Sequence, residues 1–475
     1  MFFNRTQIVV LIAVLFLVGM PDLRGQEELR DVDGLIFDLR HPELERRKTA
    51  VVGLGKHRIR RAVPELSRLV KDPDDLLRTA LARALVKIGD ITTLPALMTL
   101  CHDSRKQTQL VSIQGIVNLY VSTPDGFIHG VKRVVDFMNP ADDDYNPLIV
   151  EPYISVSPEA IDTLGTLLSD SDADVRRNAA LALGILRGHR ALPPLQEALE
   201  MEPENAVKVE MIRAIYKIGD PAGGVTLIPL IRDPDKRVHD EAIFTLGRLR
   251  VEAAVPPLTE LYNSGVLERK RILGGLVPVS GKDDLRLKTI EALAYIAAPQ
   301  SRTILLKAIE DHRAAFRRYG AEGLGRLGDS SLVPMLAARF QGEKEFEVIS
   351  ALNFALFRLG GEAHLPELVE RINSDQVYFY LLELDAQEVP KLHPQLLVHT
   401  KDPGIQIRLL EVIGQRGGAS SLEFVEPLTR SPNADVTSSA NLALRRLQGR
   451  HPGATLSSMV VAPDATGDGT GVPAN

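Results

Sequence analysis

Cysteine is nearly absent from this sequence of 475 residues, in which Cys101 is the only one. A disulfide within the chain is therefore impossible, and the fold must rely on packing. An excess of basic residues is missing too, because Lys and Arg total 56 against 62 for Asp and Glu, a net charge of -6. That balance argues against a nucleic-acid-binding protein, which would usually be basic.

Sequence signatures of catalysis and metal binding are also missing. The sequence has no His-Glu-x-x-His motif and no Gly-x-Ser-x-Gly motif, and its 11 histidines show no metal-ligand spacing. The glycines of residues 323–328 have the spacing of a dinucleotide-binding loop, but they end a predicted helix instead of opening one. The acidic residues 141–146 lack the spacing of a calcium loop. We therefore predict no catalytic residue, no metal site and no cofactor.

Long apolar runs are absent except near the start, where residues 8–19 are unbroken by a polar side chain. That run is too short for a membrane-spanning helix, which needs roughly 20 residues. Arg5 precedes it, and Gly19, Pro21 and Gly25 end it, which is typical of a secretory signal peptide. We expect residues 1–25 to be this signal and the protein to be periplasmic or secreted. The alternative is an uncleaved anchor, which would be the only contact with a membrane.

The rest of the sequence is dominated by one recurring helical pattern. "DLLRTALARALVKIGD" (residues 75–90) and "SDADVRRNAALALGILRG" (residues 171–188) both place an arginine near the helix start and a buried-type leucine seven residues later. Most successive copies are 31 or 32 residues apart, which predicts stacked helical repeats. Aligned on that apolar position, the copies are Leu54, Leu85, Ile116, Leu183, Ile215, Leu246, Leu293, Leu324, Leu356, Ile413 and Leu444.

A second helix motif lies between these copies. "AVPELSRL" and "ALPPLQEAL" each place proline near a helix start, where its missing N–H costs nothing. Each unit is therefore helix, turn, helix. Small residues such as Ala179 and Ala180 on the second helix should let adjacent helices approach closely.

The combined pattern resembles HEAT repeats of the short, bilin-lyase-like (PBS-lyase-like) type, over roughly residues 27–450. The resemblance implies an all-α fold, an α-solenoid of about eleven or twelve helix pairs. It also implies that arginines near the start of the second helices reach acidic turn residues of adjacent repeats. An anion-binding row is the alternative role for these arginines, which are Arg47, Arg78, Arg176, Arg286 and Arg317.

The repeat period is interrupted near residues 120–159 and 262–283, and residues 451–475 have no helical period and are expected to be disordered. The first insertion carries Phe127, His129, Tyr145 and Tyr153, and aromatic side chains are frequent interface anchors. We expect these four residues to bind a partner. The alternative is that the insertion fills a gap between imperfect repeats.

These features predict an exported, non-catalytic scaffold that binds a protein partner and no nucleic acid. Repeat arrays usually present an extended surface made by their second helices, which is where a partner would be expected. The alternative is a chromophore attachment factor related to the bilin lyases, or another HEAT-repeat enzyme. Export counts against the lyase, because the bilin lyases work inside the cell.

Overall fold

The structure, a computed structural model, describes residues 32–121, 148–264, 271–272, 275–276 and 280–452. Its contacts divide the chain into two units. Unit 1 comprises Met1–Val150 and Val156–Gly219, and unit 2 comprises Glu151–Ser155 and Asp220–Asn475. Each unit is a stack of helix pairs, so the predicted all-α solenoid is confirmed. In the numbering below, odd-numbered helices are the first and even-numbered helices the second of each pair.

Unit 1 contains five helix pairs within the described residues. Short 3₁₀ turns extend several first helices: Arg60–Ala62, Ser67–Lys71, Ile91–Thr93, Leu167–Ser169 and His189–Ala191. The α-helices are residues 32–38 (α1), Leu44–Lys56 (α2), Val63–Leu66 (α3), Asp75–Ile88 (α4), Leu94–Leu100 (α5), Lys106–Val121 (α6), Pro158–Thr166 (α7), Ala173–Ile185 (α8), Leu192–Met201 (α9) and Asn205–Ile218 (α10).

Unit 2 contains seven helix pairs within the described residues. Its α-helices are Pro221–Gly224 (α11), Lys236–Arg248 (α12), Val255–Ser264 (α13), Ser280–Ile296 (α14), Arg302–Ala308 (α15), Ala314–Leu327 (α16), Val333–Gly342 (α17), Phe346–Arg358 (α18), Leu365–Glu370 (α19), Asp375–Leu381 (α20), His393–Val398 (α21), Pro403–Arg416 (α22), Leu422–Val425 (α23) and Ala434–Arg450 (α24). Its 3₁₀ turns are Val225–Arg232, Glu252–Ala254, Pro299–Ser301, Ser330–Leu332, Glu362–His364, Val389–Leu392, Ala419–Ser421 and Glu426–Arg430.

Local sequence signals set the ends of these helices. Asp74 caps α4 by accepting a hydrogen bond from the backbone N–H of Leu77, and Asp172 caps α8 in the same way. Gly89 ends α4 and Gly219 ends α10 in the left-handed conformation that glycine adopts without strain. Proline stands in the first turn of many first helices, where no N–H is needed.

Adjacent second helices make a close glycine–alanine contact that recurs in both units. A Cβ added to Gly184 would lie 2.9 Å from Cα of Ala214, and one added to Gly325 would lie 2.5 Å from Cα of Ala355. Gly184 lies one turn after Ala179 and Ala180, and both alanines are fully buried. The same contact is made by Gly55 with Ala84, Gly247 with Ala292 and Gly414 with Ala443.

The two insertions fall at different points of a repeat. Residues 122–147, which lie outside the described residues, follow the second helix α6 and precede the first helix α7. The second helices on either side still pack together, because Gln109 of α6 donates a hydrogen bond of 3.0 Å to Asp170, in the turn before α8. Between α13 and α14, strand Arg271–Ile272 (β1) pairs antiparallel with Gly275–Leu276 (β2).

Candidate functional site

Four of the five predicted ladder arginines make the same set of contacts. Each guanidinium donates through Nε and Nη2 to a carboxylate 25 or 26 residues later, and through Nη1 to backbone carbonyls of the turn before its own helix. For Arg176 the two bonds to Glu202 measure 2.7 and 2.8 Å. The pairs are Arg47–Asp72, Arg78–Asp103, Arg176–Glu202 and Arg317–Glu343.

The carboxylates of this ladder are buried and satisfied. Their side chains are between 1% and 6% exposed, and each also accepts a backbone N–H two residues later. The hydrogen bond from Arg317 lowers the pKa of Glu343 to about 2, with help from the backbone N–H groups of Lys344 and Glu345. The ladder thus ties each second helix to the turn that begins the next one.

Gln109 and His239 replace arginine at the same helix position, and Arg286 keeps the arginine. Gln109 occupies this position in α6, and His239 occupies it in α12. Nδ1 of His239 lies 3.1 Å from the carbonyl oxygen of Asp233, which precedes the helix. The guanidinium of Arg286 lies over the rings of Tyr262 and Phe316, at 4.6 and 5.4 Å from their centroids. A sequence pattern that requires arginine at this helix position misses Gln109 and His239.

Among the predicted partner-binding residues, Phe127, His129 and Tyr145 lie outside the described residues. Tyr153 is described, and its ring lies against α24, since a Cβ at Gly449 would be 2.5 Å from its Cγ. Glu151 accepts hydrogen bonds from Arg446 of α24 at 2.6 and 3.1 Å. Burial raises the pKa of Tyr153, which lies near Glu151. The end of this insertion therefore contacts the last described second helix of unit 2.

An open cavity lies between the second helices α12 and α14 of unit 2. Its volume is about 230 Å³, and its lining combines charged and aromatic side chains. Phe244 is among the exposed large apolar side chains, at 36%. We call this cavity the Arg248 pocket, and it is lined by Asp240, Glu241, Phe244, Arg248, Lys288, Glu291, Ala292 and Tyr295.

On one side of the Arg248 pocket, two lysines each contact the same two aspartates. Nζ of Lys236 lies 2.5 Å from Asp240 and 3.1 Å from Asp284. Nζ of Lys288 completes the cluster at 2.5 Å from Asp240 and 3.4 Å from Asp284. The hydrogen bonds to Asp240 and Asp284 raise the pKa of Lys236. The two carboxylates in this cluster are therefore neutralised by the two lysines.

The other side of the pocket holds Arg248 against aromatic rings. Its guanidinium carbon lies 3.7 Å from the ring centroid of Tyr295 and 5.1 Å from that of Phe244. Such cation–π contacts hold an arginine in place without using its hydrogen-bond donors. Its nearest carboxylate is Glu291, at 3.7 Å from Nη2, which is too long for a hydrogen bond. Burial raises the pKa of Glu291, and its carboxylate also interacts with Tyr319.

Next to this pocket, a polar network with Glu322, Arg326 and Tyr380 buried joins α16 to α20. The hydroxyl of Tyr380 donates to Glu322 at 2.5 Å, and its ring stacks on Phe354 at 4.3 Å between centroids. Arg326 donates to Glu322 at 3.2 Å and to Glu383 at 2.7 Å. The attraction of Arg326 and Arg318 lowers the pKa of Glu322 against the opposing effect of its burial. The short helix α20 therefore covers this network, while the Arg248 pocket stays open.

The residue two positions after the alignment leucine is a cation in most of these second helices. Lysine stands there in unit 1 at Lys56, Lys87 and Lys217. A cation near a helix C-terminus is favoured by the helix dipole. In unit 2 we call this set the C-terminal row, and it comprises Arg248, Tyr295, Arg326, Arg358, Gln415 and Arg446.

Sequence reasoning did not identify the pocket or its surroundings. Glu383 accepts hydrogen bonds from Arg326, which is 57 residues away, and from Arg250, which is 133 residues away. These separations do not follow the repeat period. The one available signal was the recurring cation of the C-terminal row, which has the same period as the leucines.

Potential metal ligands and the thiol of Cys101 can be located in the part of the chain that the structure describes. Within those residues, no group of three or more His, Cys, Asp or Glu side chains is placed to hold a metal ion. Cys101 is buried, and its burial raises the pKa of the thiol. None of the helices formed by these described residues is long and apolar enough to cross a bilayer.

Comparison with known proteins places the repeats in a family. The sequence profile of HEAT repeats matches residues 32–116, 154–215, 199–273 and 279–356, which is more than half of the chain. Two curated relatives are the bilin biosynthesis proteins PecE of Nostoc sp., 30% identical over 95 residues, and of Mastigocladus laminosus, 33% identical over 91 residues. Each match covers 19% of this chain and 38% or 34% of the relative, so the chain spans about a third of the length of these proteins.

Two solved structures match this chain at low identity. One is an engineered protein, with a TM-score of 0.38 and 16% identity over 88% of this chain and 99% of the other. The second comes from a structure in which Kap95p binding induces the switch loops of RanGDP to adopt the GTP-bound conformation. Its TM-score is 0.45 at 11% identity, over 89% of this chain and 57% of that chain.

Proposed function

The chain belongs to the HEAT-repeat family, and from that premise we propose that it is a non-catalytic scaffold that binds a protein partner on the second helices of unit 2. The observation that carries the proposal is the open Arg248 pocket between α12 and α14. On α16, a later second helix of unit 2, Tyr380 and Glu383 of the chain itself cover the equivalent surface by bonding to Glu322 and Arg326.

The composition of the pocket supports protein recognition. Aromatic residues and arginine dominate the binding energy of protein interfaces, and this pocket combines Phe244 and Tyr295 with Arg248. Phe244 is partly exposed at its edge. Lys236 and Asp284 lie next to it and are partly exposed, which suits the polar rim of an interface.

Site-specific crosslinking tests this proposal. A photoreactive phenylalanine derivative replaces Phe244 in the full chain, and the same derivative replaces Phe37 of α1 as the matched control, because Phe37 is exposed in the other unit. We expect one protein to be crosslinked from position 244 and not from position 37, and its capture to be competed by unlabelled chain. Equal crosslinking from both positions, or none from position 244, would contradict the proposal.

We further propose that the protein is exported. The support is the apolar run of residues 8–19 between Arg5 and the helix breakers Gly19 and Pro21. Mass spectrometry of the native protein should find a chain that starts near Gln26. Replacing Leu11 and Leu15 with Arg should retain the protein in the cytoplasm, because charges are costly in an apolar segment. An intact Met1 on an exported protein would indicate an anchor instead.

A second candidate function is chromophore attachment related to that of the bilin lyases. It is favoured by the partial similarity to the two PecE proteins, at 30% and 33% identity. A spectroscopic titration of the purified chain with a bilin separates the two candidates. The scaffold function predicts an unchanged bilin spectrum, whereas a lyase-like function predicts a shifted absorption band that saturates with added protein.

A further inference from the structure

The C-terminal row shows what chemistry this helix position recognises. Arg326 binds Glu383 with a shortest contact of 2.7 Å, and Arg358 binds Glu388 at 2.9 Å. Arg446 binds Glu151 at 2.6 Å. A guanidinium suits this task because its donors match the two oxygens of a carboxylate. At three of the four arginines of the row, a glutamate from elsewhere in the chain therefore fills the position.

Arg248 is the exception in this row. Among the described residues, its Nε is buried without a hydrogen-bond partner, and no acceptor lies within hydrogen-bonding distance of the guanidinium. Its side chain is 25% exposed, comparable with 28% for Arg358 and 19% for Arg446, so burial does not set it apart. What differs is that Arg248 lines an open cavity and lacks a glutamate partner within hydrogen-bonding distance.

Two of the three carboxylates that line the pocket, Asp240 and Glu291, interact with other side chains. Asp240 accepts from both Lys236 and Lys288, and Glu291 interacts with Tyr319. Tyr295 and Phe244 flank the guanidinium and leave its donors available. A buried donor without an acceptor is unfavourable, and an incoming oxygen would satisfy it.

We propose that the Arg248 pocket binds a glutamate or aspartate side chain carried by an extended acidic segment of a protein partner. The chain supplies a precedent, because Glu151 reaches Arg446 from the non-helical residues Glu151–Ser155, with Tyr153 packed two residues later. A cavity of about 230 Å³ has room for one side chain. This inference rests on the proposed scaffold function and specifies its partner.

Peptide binding to the full chain tests this inference. The probe is a fluorescent ten-residue peptide of alternating glycine and glutamate with an amidated C-terminus, and binding is followed by fluorescence anisotropy. The glutamine version removes the charge, and a glycine–serine peptide with a free C-terminus tests a terminal carboxylate. We expect only the glutamate peptide to bind, and Arg248→Gln to weaken binding by about 10-fold or more, as expected for losing a charge-assisted hydrogen bond.

Two further variants serve as controls for the effect of Arg248→Gln on peptide binding. Arg248→Lys should retain part of the affinity, because it keeps the charge and loses the paired donors. Arg232→Gln is the matched control, since Arg232 is exposed and pairs with Glu260 away from the pocket. Circular dichroism melting verifies that each variant is folded.

Equal binding of the glutamine peptide, preference for the free C-terminus, or unchanged binding by Arg248→Gln would overturn the inference. The outcome is separable from that of the scaffold proposal. If crosslinking from position 244 still captures a partner while Arg248→Gln binds it unchanged, the scaffold proposal stands and the carboxylate inference fails.

Discussion

At the residue scale, the arginine ladder is a structural device of these repeats. Each of its four described pairs buries a carboxylate and satisfies it with a guanidinium and a backbone N–H. Breaking a buried pair by removing one partner is strongly destabilising, because the remaining charge loses its compensation. The ladder is therefore expected to contribute to stability more than exposed ion pairs do.

Arg176→Ala should lower the free energy of unfolding by roughly 3 kcal/mol, because Glu202 is only 1% exposed and would lose its partner. Urea denaturation followed by circular dichroism measures the change. Arg190→Ala is the control, since Arg190 and Asp162 form an exposed pair, and exposed pairs contribute little to stability. Equal effects of the two substitutions would show that the ladder has no special role.

The pair of Arg317 and Glu343 predicts a pH dependence. The pKa of Glu343 is lowered from 4.5 to about 2 in the folded chain, so the folded state favours the carboxylate. Its contribution is present above the unfolded value and is lost as the pH falls from about 4.5 towards 2. The stability difference between wild type and Glu343→Gln should therefore be largest at neutral pH and shrink over that window.

The control for this pH profile is Glu362→Gln, because the Glu362 side chain is 70% exposed and pairs with Lys391 at the surface. That variant should differ little from wild type at any pH. A difference for Glu343→Gln that stays constant down to pH 2 would contradict the assigned role of Arg317.

At the scale of elements, the spacing of second helices depends on a glycine that faces an alanine. Gly325→Ala would place a Cβ 2.5 Å from Cα of Ala355, so the helices α16 and α18 must separate. Overpacking of this kind costs about 1–3 kcal/mol, although alanine is the better helix former. Thermal denaturation should show a lower midpoint for this variant.

Gly342→Ala is the matched control, because nothing lies within 4 Å of a Cβ built there. That substitution should leave the midpoint unchanged or raise it slightly. If Gly325→Ala were as stable as Gly342→Ala, the close helix contact would not be a constraint on the fold.

The repeats themselves could be predicted because their helix signals are local and recur. The leucine period, the prolines and the N-cap aspartates fix the helix pairs, and the ladder pairs follow from the same register. The contact of Gly184 with Ala214 was not predicted, because the sequence of one helix does not show which of its small residues faces the backbone of the next helix.

The pocket could not be predicted because its contacts come from packing between repeats. Tyr380 and Glu383 belong to a short, degenerate repeat, and their partners lie two or more repeats earlier. No residue spacing in the sequence encodes that arrangement. That Arg248 lacks a carboxylate partner likewise follows only from the placement of the glutamates that bind the other arginines.

At the scale of the whole molecule, contacts between neighbouring repeats predict unfolding in parts. In repeat arrays a local change affects its neighbours first. Arg176→Ala should therefore speed hydrogen exchange in α8 and α10 of unit 1 and leave α22 of unit 2 at its wild-type rate. Equal acceleration in all described helices would instead indicate a single cooperative unit.

The most direct test of the central claim is hydrogen–deuterium exchange on the full chain, with and without the partner recovered by crosslinking from position 244. If the second helices of unit 2 bind that partner, its addition should slow exchange in α12 and α14, with residues 236–248 and 284–296 affected most. Slowed exchange confined to the first helices or to unit 1, with α12 and α14 unchanged, would contradict the account.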